Sequence, residues 1–345
     1  MAKKRPRISV VMSVYNDAPF LAAAITSILT QSVADFEFLI VDDGSSDGSA
    51  KIIDDYAQAD HRIRVLRQEN RGLIASLNRA IAEACGELIA RMDGDDISLP
   101  ERFAQQLAFI DAHPDCGVLG TNFHSIDAAG RLVEVAAPHP LDHAGISDAL
   151  RRDSPICHPS VMMQRAALLS VGGYRPAYRF GEDYDLWLRL STRTRLANLP
   201  DRLLHYRRSD NQVSVCHAVD QQISVAVALL AHAERLAARP DPTAELLCPP
   251  SLDQLDALFG KSGLEFDLRS QLARRIGYSR HAMRADGFAI LVAHVRAGGA
   301  HEGLWRTVAR LLLFGEFTKA LRLATLLVVS LHRPSARSWE APINA

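Results

Sequence analysis

The chain has 345 residues, 48% of them hydrophobic and 23% charged, enough for one large domain or two ordinary ones. Its 39 Lys and Arg against 40 Asp and Glu leave a net charge of −1, which excludes a global field that would draw in nucleic acid or a membrane. Five widely spaced cysteines (Cys85, Cys116, Cys157, Cys216, Cys248) without a Cys-x-x-Cys pair read as reduced thiols of a cytoplasmic protein, not a disulfide frame or zinc site.

The basic start, Met1 to Arg7, is followed by the short apolar run Ile8 to Val14, which ends in Tyr15-Asn16-Asp17 without a small-residue cleavage site, so a buried strand is expected there and not a signal peptide. A helix is expected over Ala18–Thr30 and a second strand over Phe36–Val41, closed by Asp42-Asp43-Gly44-Ser45-Ser46-Asp47-Gly48. A helix to about Tyr56 comes next, then a strand at Ile63–Leu66, a helix at Leu73–Ala84 and a strand at Glu87–Met92. Alternation of this kind, with nearly continuous apolar strands, predicts an α/β fold with a mostly parallel sheet and helices on both faces. Ser98 is expected to cap a further helix with Pro100 in its first turn. Mixed short strands continue to His205, with the turn Gly172-Gly173-Tyr174 and a helix from about Glu182 to Leu190. The boundary is placed at 215, with a helical region over 216–345.

The stretch 305–333 is apolar with Arg306, Arg310, Lys319, Arg322 and Arg333 interspersed. Such a basic amphipathic helix either packs on the protein or a partner, or makes peripheral contact with an anionic membrane, here the inner face of the plasma membrane. No run of ~20 apolar residues predicts a transmembrane helix.

Ligands of open parallel sheets bind beyond the carboxyl ends of the strands. Three polar segments fall at such ends: Ser13-Val14-Tyr15-Asn16-Asp17, Asp42-Asp43, and Asp93-Gly94-Asp95-Asp96. The first lacks the Gly-x-Gly-x-x-Gly of a dinucleotide site. Tyr15 either stacks on a base, worth roughly 1–3 kcal/mol, or finishes a strand. Asp43 either accepts from a base edge or caps the helix that begins near Asp47. Three carboxylates within four residues repel one another, by about 4 kcal/mol for a pair ~4 Å apart. A divalent cation bridging to substrate phosphates removes that cost, and Gly94 admits close backbone approach. Glu182-Asp183 at a helix start reads first as a favourable meeting with the helix dipole; the same carboxylate facing a cleft could serve as a general base.

Together these segments resemble family 2 glycosyltransferases of GT-A fold. The matching stretches, in the family's order over about 6–215, are Ile8 to Asp17, Phe36 to Ser49, Asn70-Arg71-Gly72-Leu73, Asn78, Gly86 to Asp96, Leu99 to Phe103 and Gly181 to Leu190. The resemblance implies that 1–215 is the catalytic domain and that Ser13, Val14, Tyr15, Asp43, Arg71 and Asp93 bind the donor nucleotide. It also implies Asp95 as the ligand of Mn2+ or Mg2+, Asp183 as the catalytic base, and inversion at the anomeric carbon. The implied partners are a nucleotide-sugar donor, uridine diphosphate by default, and a saccharide or lipid-linked acceptor of bacterial cell-surface polysaccharide synthesis. His158 in Cys-His-Pro-Ser-Val, Glu182 and Arg207 are further candidates at the acceptor or phosphates.

The family's frequent histidine after Tyr206-Arg207 is replaced by Ser209, which leaves His205, Asp210, water or the cations Arg207 and Arg208 to complete the shell. Absence of Gln-x-x-Arg-Trp and of membrane helices implies one sugar per encounter. Two rival readings are a non-catalytic nucleotide-sugar binding protein on the same fold, against which intact Asp93, Asp95 and Asp183 argue, and a nucleotidyltransferase, against which the loop Asn16-Asp17-Ala18-Pro19 argues.

Overall fold

A computed structural model describes residues 5–134, 137–208, 217–277, 280–284 and 287–330. The chain divides into two compact units: Met1–Pro176 with Glu182–Asp210, and Ala177–Gly181 with Asn211–Ala345. The expected boundary at 215, with Ser209 and Asp210, lies outside the described residues, as does the end of 305–333.

The first unit runs β1 (Ile8–Val14), α1 (Ala18–Leu29), β2 (Phe36–Asp42), α2 (Ser49–Ala59), β3 (Ile63–Arg67), α3 (Leu73–Glu83), β4 (Leu88–Asp93), β5 (Ile97–Ser98) and α4 (Arg102–Ala112). It continues with β6 (Cys116–Ile126), β7 (Leu132–Glu134), α5 (His143–Ala149), β8 (Met162–Gln164), α6 (Arg165–Ser170), α7 (Glu182–Leu190) and β9 (Arg195–Arg207). Strand order is β3-β2-β1-β4-β8-β6-β9-β5, with β7 on β6. β3, β2, β1 and β4 are mutually parallel, whereas β8 is antiparallel to both β4 and β6.

β1 is flanked on both sides and covered on both faces, which is why Ile8, Val10, Val11, Met12 and Val14 are all buried and its sequence does not alternate. The chain leaves β1 toward β2 on one side and reaches β4 on the other. That reversal opens a crevice at the carboxyl ends of β1 and β4, where Ser13 pairs with Asp93 and Val14 with Asp42.

Ser98 does not cap a helix. It sits in β5, where its N–H donates to Ser27 Oγ at 3.0 Å and its own Oγ accepts from Gln31 Nε2 at 3.1 Å, so α4 starts only at Arg102. Arg102 is fully buried, and its guanidinium donates to the carbonyls of Arg91 (2.9 Å) and Val161 (3.1 Å), fastening α4 beneath β4.

The second unit contains α8 (Ala218–Leu236), α9 (Leu255–Phe259), α10 (Leu264–Ile276), α11 (Arg280–Arg284), α12 (Gly287–Arg296), α13 (Leu304–Leu313) and α14 (Phe317–Ser330). Its core gathers Ile276, Met283, Leu291, Val295, Leu304, Leu311, Leu323 and Leu327. No helix among the described residues is long and apolar enough to cross a membrane.

Candidate active site

The turn after β4 holds three carboxylates, Asp93, Asp95 and Asp96, with one oxygen of each within 4.8 Å of the others. Asp17, from the loop after β1, joins them. A Cβ on Gly94 would stand 2.7 Å from Asp17 Oδ2, so the glycine is there for this close approach. Asp17 Oδ2 also accepts the N–H of Tyr15 at 3.2 Å. Burial pushes the Asp17 carboxyl up to about 7, with the charges of Asp95 and Asp93 adding to it. Asp95 is pushed up to about 6, by burial and then by Asp93. Asp96 is likewise held well above the usual carboxylate range by burial and then by Asp93 and Asp95.

The turn is held from β9. Arg207 donates its backbone N–H to Asp96 Oδ1 (2.8 Å), its Nε–H to the carbonyl of Asp95 (2.7 Å) and an Nη–H to the carbonyl of Asp127 (2.8 Å). Its guanidinium carbon lies 4.5 Å from the centre of the Phe20 ring. A side chain spread over backbone carbonyls in this way fixes the acidic turn.

At the end of β2, Asp43 is 2% exposed and its N–H donates to the Val14 carbonyl at 2.9 Å. Its Oδ1 accepts from Gln68 Nε2 (2.7 Å) and the Arg71 N–H (2.8 Å), and its Oδ2 from the Gly72 N–H (2.8 Å). The helix that it organises is therefore α3. The start of α2 is served by Asp47, which accepts from the N–H of Ser49 at 2.9 Å and of Ala18 at 3.1 Å. Tyr15 is half exposed and Arg71 is exposed.

Glu182 and Asp183 open α7. Asp183 Oδ1 accepts the N–H of Tyr184 at 2.7 Å. Glu182 is 8% exposed and pushed up to about 7 by burial, then by Asp183. Asp183 is likewise raised by burial, while Arg91 pulls it down and Asp93 pushes it up. The helix start is pinned two residues later. Asp185, fully buried, is paired with Arg175 and with Arg189 at 2.8 Å, and Arg189 donates to the carbonyls of Val171 (2.6 Å) and Gly173 (2.8 Å). Asn78 grips the other side of that turn, donating to the Tyr174 carbonyl (2.7 Å) and accepting its N–H (3.0 Å). Asn78 and the Gly172-Gly173 turn are thus one device for seating α7.

Arg91 links the acidic turn to α7. It is 3% exposed, ion-paired with Asp93, and its charge is felt by Asp95, Asp96, Glu182 and Asp183. Its Nε–H meets no acceptor among the described residues. His158 is buried in the core, bonded through Nε2 to the Tyr174 hydroxyl at 2.7 Å and packed edge-on against Trp187. Burial holds it neutral, well below the usual imidazole range.

The donor set fits a hard divalent cation. Oxygen ligands converge, two of the three carboxyls are raised by burial and then by one another's charge, and the buried Asp96 Oδ2 has no hydrogen-bond partner among the described residues. Asp93 and Asp95, both singled out in the sequence, lie in this cluster, and Asp183 feels the charges of Arg91 and Asp93. Sequence reasoning missed Asp17 and Arg91. The second had a signal, an arginine in the middle of an otherwise apolar strand.

A family profile described as Glycosyl transferase family 2 matches residues 9–172. The putative glycosyltransferase EpsE of Bacillus subtilis is 38% identical over 191 residues, which are 53% of this chain and 66% of EpsE, just under two thirds of its length. The O-antigen biosynthesis glycosyltransferase WbnJ of Escherichia coli is 33% identical over 205 residues, 58% of this chain and 79% of WbnJ. Among solved structures, S. aureus TarS residues 1–349 in complex with UDP-GlcNAc superposes with a TM-score of 0.57 at 18% identity, covering 93% of this chain and 90% of that one. This likeness shows the expected GT-A fold.

Proposed function

The chain belongs to glycosyl transferase family 2, and from that membership we propose that it moves one sugar per encounter from a nucleoside diphosphate sugar to a saccharide or lipid-linked acceptor, inverting the anomeric carbon. The observation that carries this reading is the convergence of Asp17, Asp93, Asp95 and Asp96 where the sheet reverses direction, coupled through buried Arg91 to Asp183. Uridine diphosphate is the first donor to test, in line with the UDP-GlcNAc of the TarS complex. The name of WbnJ, with its O-antigen, supports cell-surface polysaccharide synthesis as the setting.

In this reading Tyr15 and the Asp43–Arg71 loop receive the base, with Ser13 and Val14 beneath it. Asp93 meets the ribose. Asp95, with Asp93 or Asp96, would hold Mn2+ or Mg2+, which when bound neutralises charge building on the departing diphosphate. Asp183 takes the proton of the acceptor hydroxyl as its oxygen bonds to the anomeric carbon and the bond to the diphosphate breaks. General-base help of this kind typically contributes 10²–10⁴-fold. Arg91 helps keep Asp183 ionised for the task. Arg207 and His158 act as supports of the turn and of α7, and Glu182 as the charged neighbour of the base.

A thermal-shift panel of nucleotide sugars with and without Mn2+ tests the binding half, for a ligand at a hundredfold excess over its Kd stabilises by ~2.7 kcal/mol. Asp183→Asn tests the chemical half. It should retain donor binding and lose sugar transfer and donor hydrolysis. Donor binding with no turnover in the parent protein as well would favour a non-catalytic binder, and pyrophosphate release from a nucleoside triphosphate and a sugar 1-phosphate would favour a nucleotidyltransferase.

A further inference from the structure

The net charge of −1 conceals a local excess of cations in the second unit. From Leu304 to Ser330, α13 and α14 carry Arg306, Arg310, Lys319 and Arg322 against the carboxylate of Glu316, which itself lies 3.2 Å from Lys319. The two helices form a hairpin through Phe314-Gly315-Glu316, where Gly315 turns the chain at φ 77°. One side of each helix is in the core, through Leu304, Thr307 and Leu311 on α13 and Ala320, Leu323 and Leu327 on α14.

An exposed flank of each helix is also apolar. Trp305 and Leu312 recur at i, i+7 on α13, and Phe317, Leu321 and Val328 at i, i+4, i+11 on α14, all of them exposed. Leu313 beside the turn is 83% exposed, Phe317 67% and Leu321 70%. So many large apolar side chains on one hairpin exceed what scattered surface residues explain. The exposed Arg306 flanks Trp305, and the exposed Arg322 follows Leu321, its guanidinium 5.9 Å from the Phe288 ring.

We propose that the α13–α14 hairpin docks on an anionic phospholipid bilayer, the apolar stripes sunk at the interface and Arg306 and Arg322 turned to the headgroups. Neither helix can span a bilayer, at 10 and 14 residues, so the mode is interfacial. The charge decides between lipid and a second copy of the chain. Two copies meeting through the same face would bring the same cations together, whereas an anionic leaflet attracts them. The inference is independent of the sugar-transfer reading, because it concerns a different unit and needs no turnover.

The test is co-sedimentation of the full chain with vesicles of phosphatidylcholine alone and with phosphatidylglycerol added. Binding should rise with the anionic lipid, by about fivefold for each cation engaged, and fall as salt is raised. The double substitution Leu313→Glu/Phe317→Glu should abolish binding, and Arg306→Gln/Arg322→Gln should remove the preference for anionic lipid. Both variants are to be matched to the parent by thermal melting. No vesicle binding, equal binding to both vesicles, or a dimer by light scattering that Leu313→Glu/Phe317→Glu dissolves would each overturn the proposal.

Discussion

Arg207 and Asp96 stand 111 positions apart in the chain, yet the backbone N–H of the first donates to the carboxylate of the second at 2.8 Å, and the same arginine's Nε–H reaches the Asp95 carbonyl. The end of β9 therefore sets the shape of the acidic turn. Arg207→Met keeps the backbone contact and removes the guanidinium from the part-buried carbonyls of Asp95, Asp127 and Ala128. It should lower the free energy of unfolding by about 1–3 kcal/mol in a denaturant titration. It should also weaken Mn2+-dependent nucleotide binding in the same protein.

Mutual repulsion at 93–96 has a consequence for the protein free of cation. Asp95, raised to about 6 by burial and by Asp93, is one of the charges in conflict. Asp95→Asn should raise the melting temperature measured in chelator by ~2 °C, the shift that ~0.5–1 kcal/mol gives a domain of this size. The same substitution should cancel the further rise that Mn2+ with nucleotide gives the parent.

The pair at the start of α7 sets the pH dependence. As the proposed base Asp183 must be ionised to accept a proton, and burial holds its carboxyl above the usual range. Activity should therefore fall on the acid side at a pH above that of an ordinary carboxylate. Arg91→Gln, which removes the cation pulling Asp183 down, should move that limb to higher pH in a kcat profile.

Glu182 acts on stability. Its folded value of about 7 lies above its ordinary value of 4.5, so the folded state binds its proton more tightly. The stability that it contributes is present in full below about pH 4.5 and is lost as pH rises through about 7. Glu182→Gln should flatten the decline in unfolding free energy over that window, as read by denaturant titrations at a series of pH values.

Asp185 is fully buried between Arg175 and Arg189 and sets the angle at which α7 presents Asp183. Breaking a buried pair by removing one partner costs about 3–5 kcal/mol. Asp185→Asn should show a loss of that order in chemical denaturation, with kcat reduced more than donor affinity.

The parallel part of the fold was legible because strands covered on both faces carry unbroken apolar runs, as in Ile8–Val14 and Phe36–Asp42. The far half was not. β9 bears the exposed pair Pro200-Asp201 at its middle, where its register against β6 shifts, and so shows no clean period. Ser98 looked like a helix cap because Pro100 and Glu101 follow it, but its partners Ser27 and Gln31 lie on α1 and in the loop after it, about 70 positions back. The acidic turn announced itself by local composition. Asp17, which reaches it from a distant segment, did not, since only the tertiary fold brings it there, and Arg207 entered only through the family resemblance. From spacing alone Asp183 reads as a cap, because a helix dipole suffices to explain an acidic first turn, and only the family resemblance implies the base.

The most direct measurement is calorimetric titration of uridine diphosphate into the protein with Mn2+ and with chelator, repeated on Asp95→Asn. The account expects nucleotide affinity to be at least about tenfold greater with the cation, a gain of ~1.4 kcal/mol, and expects Asp95→Asn to remove that gain. Equal affinity in cation and chelator, unchanged by the substitution, would contradict it.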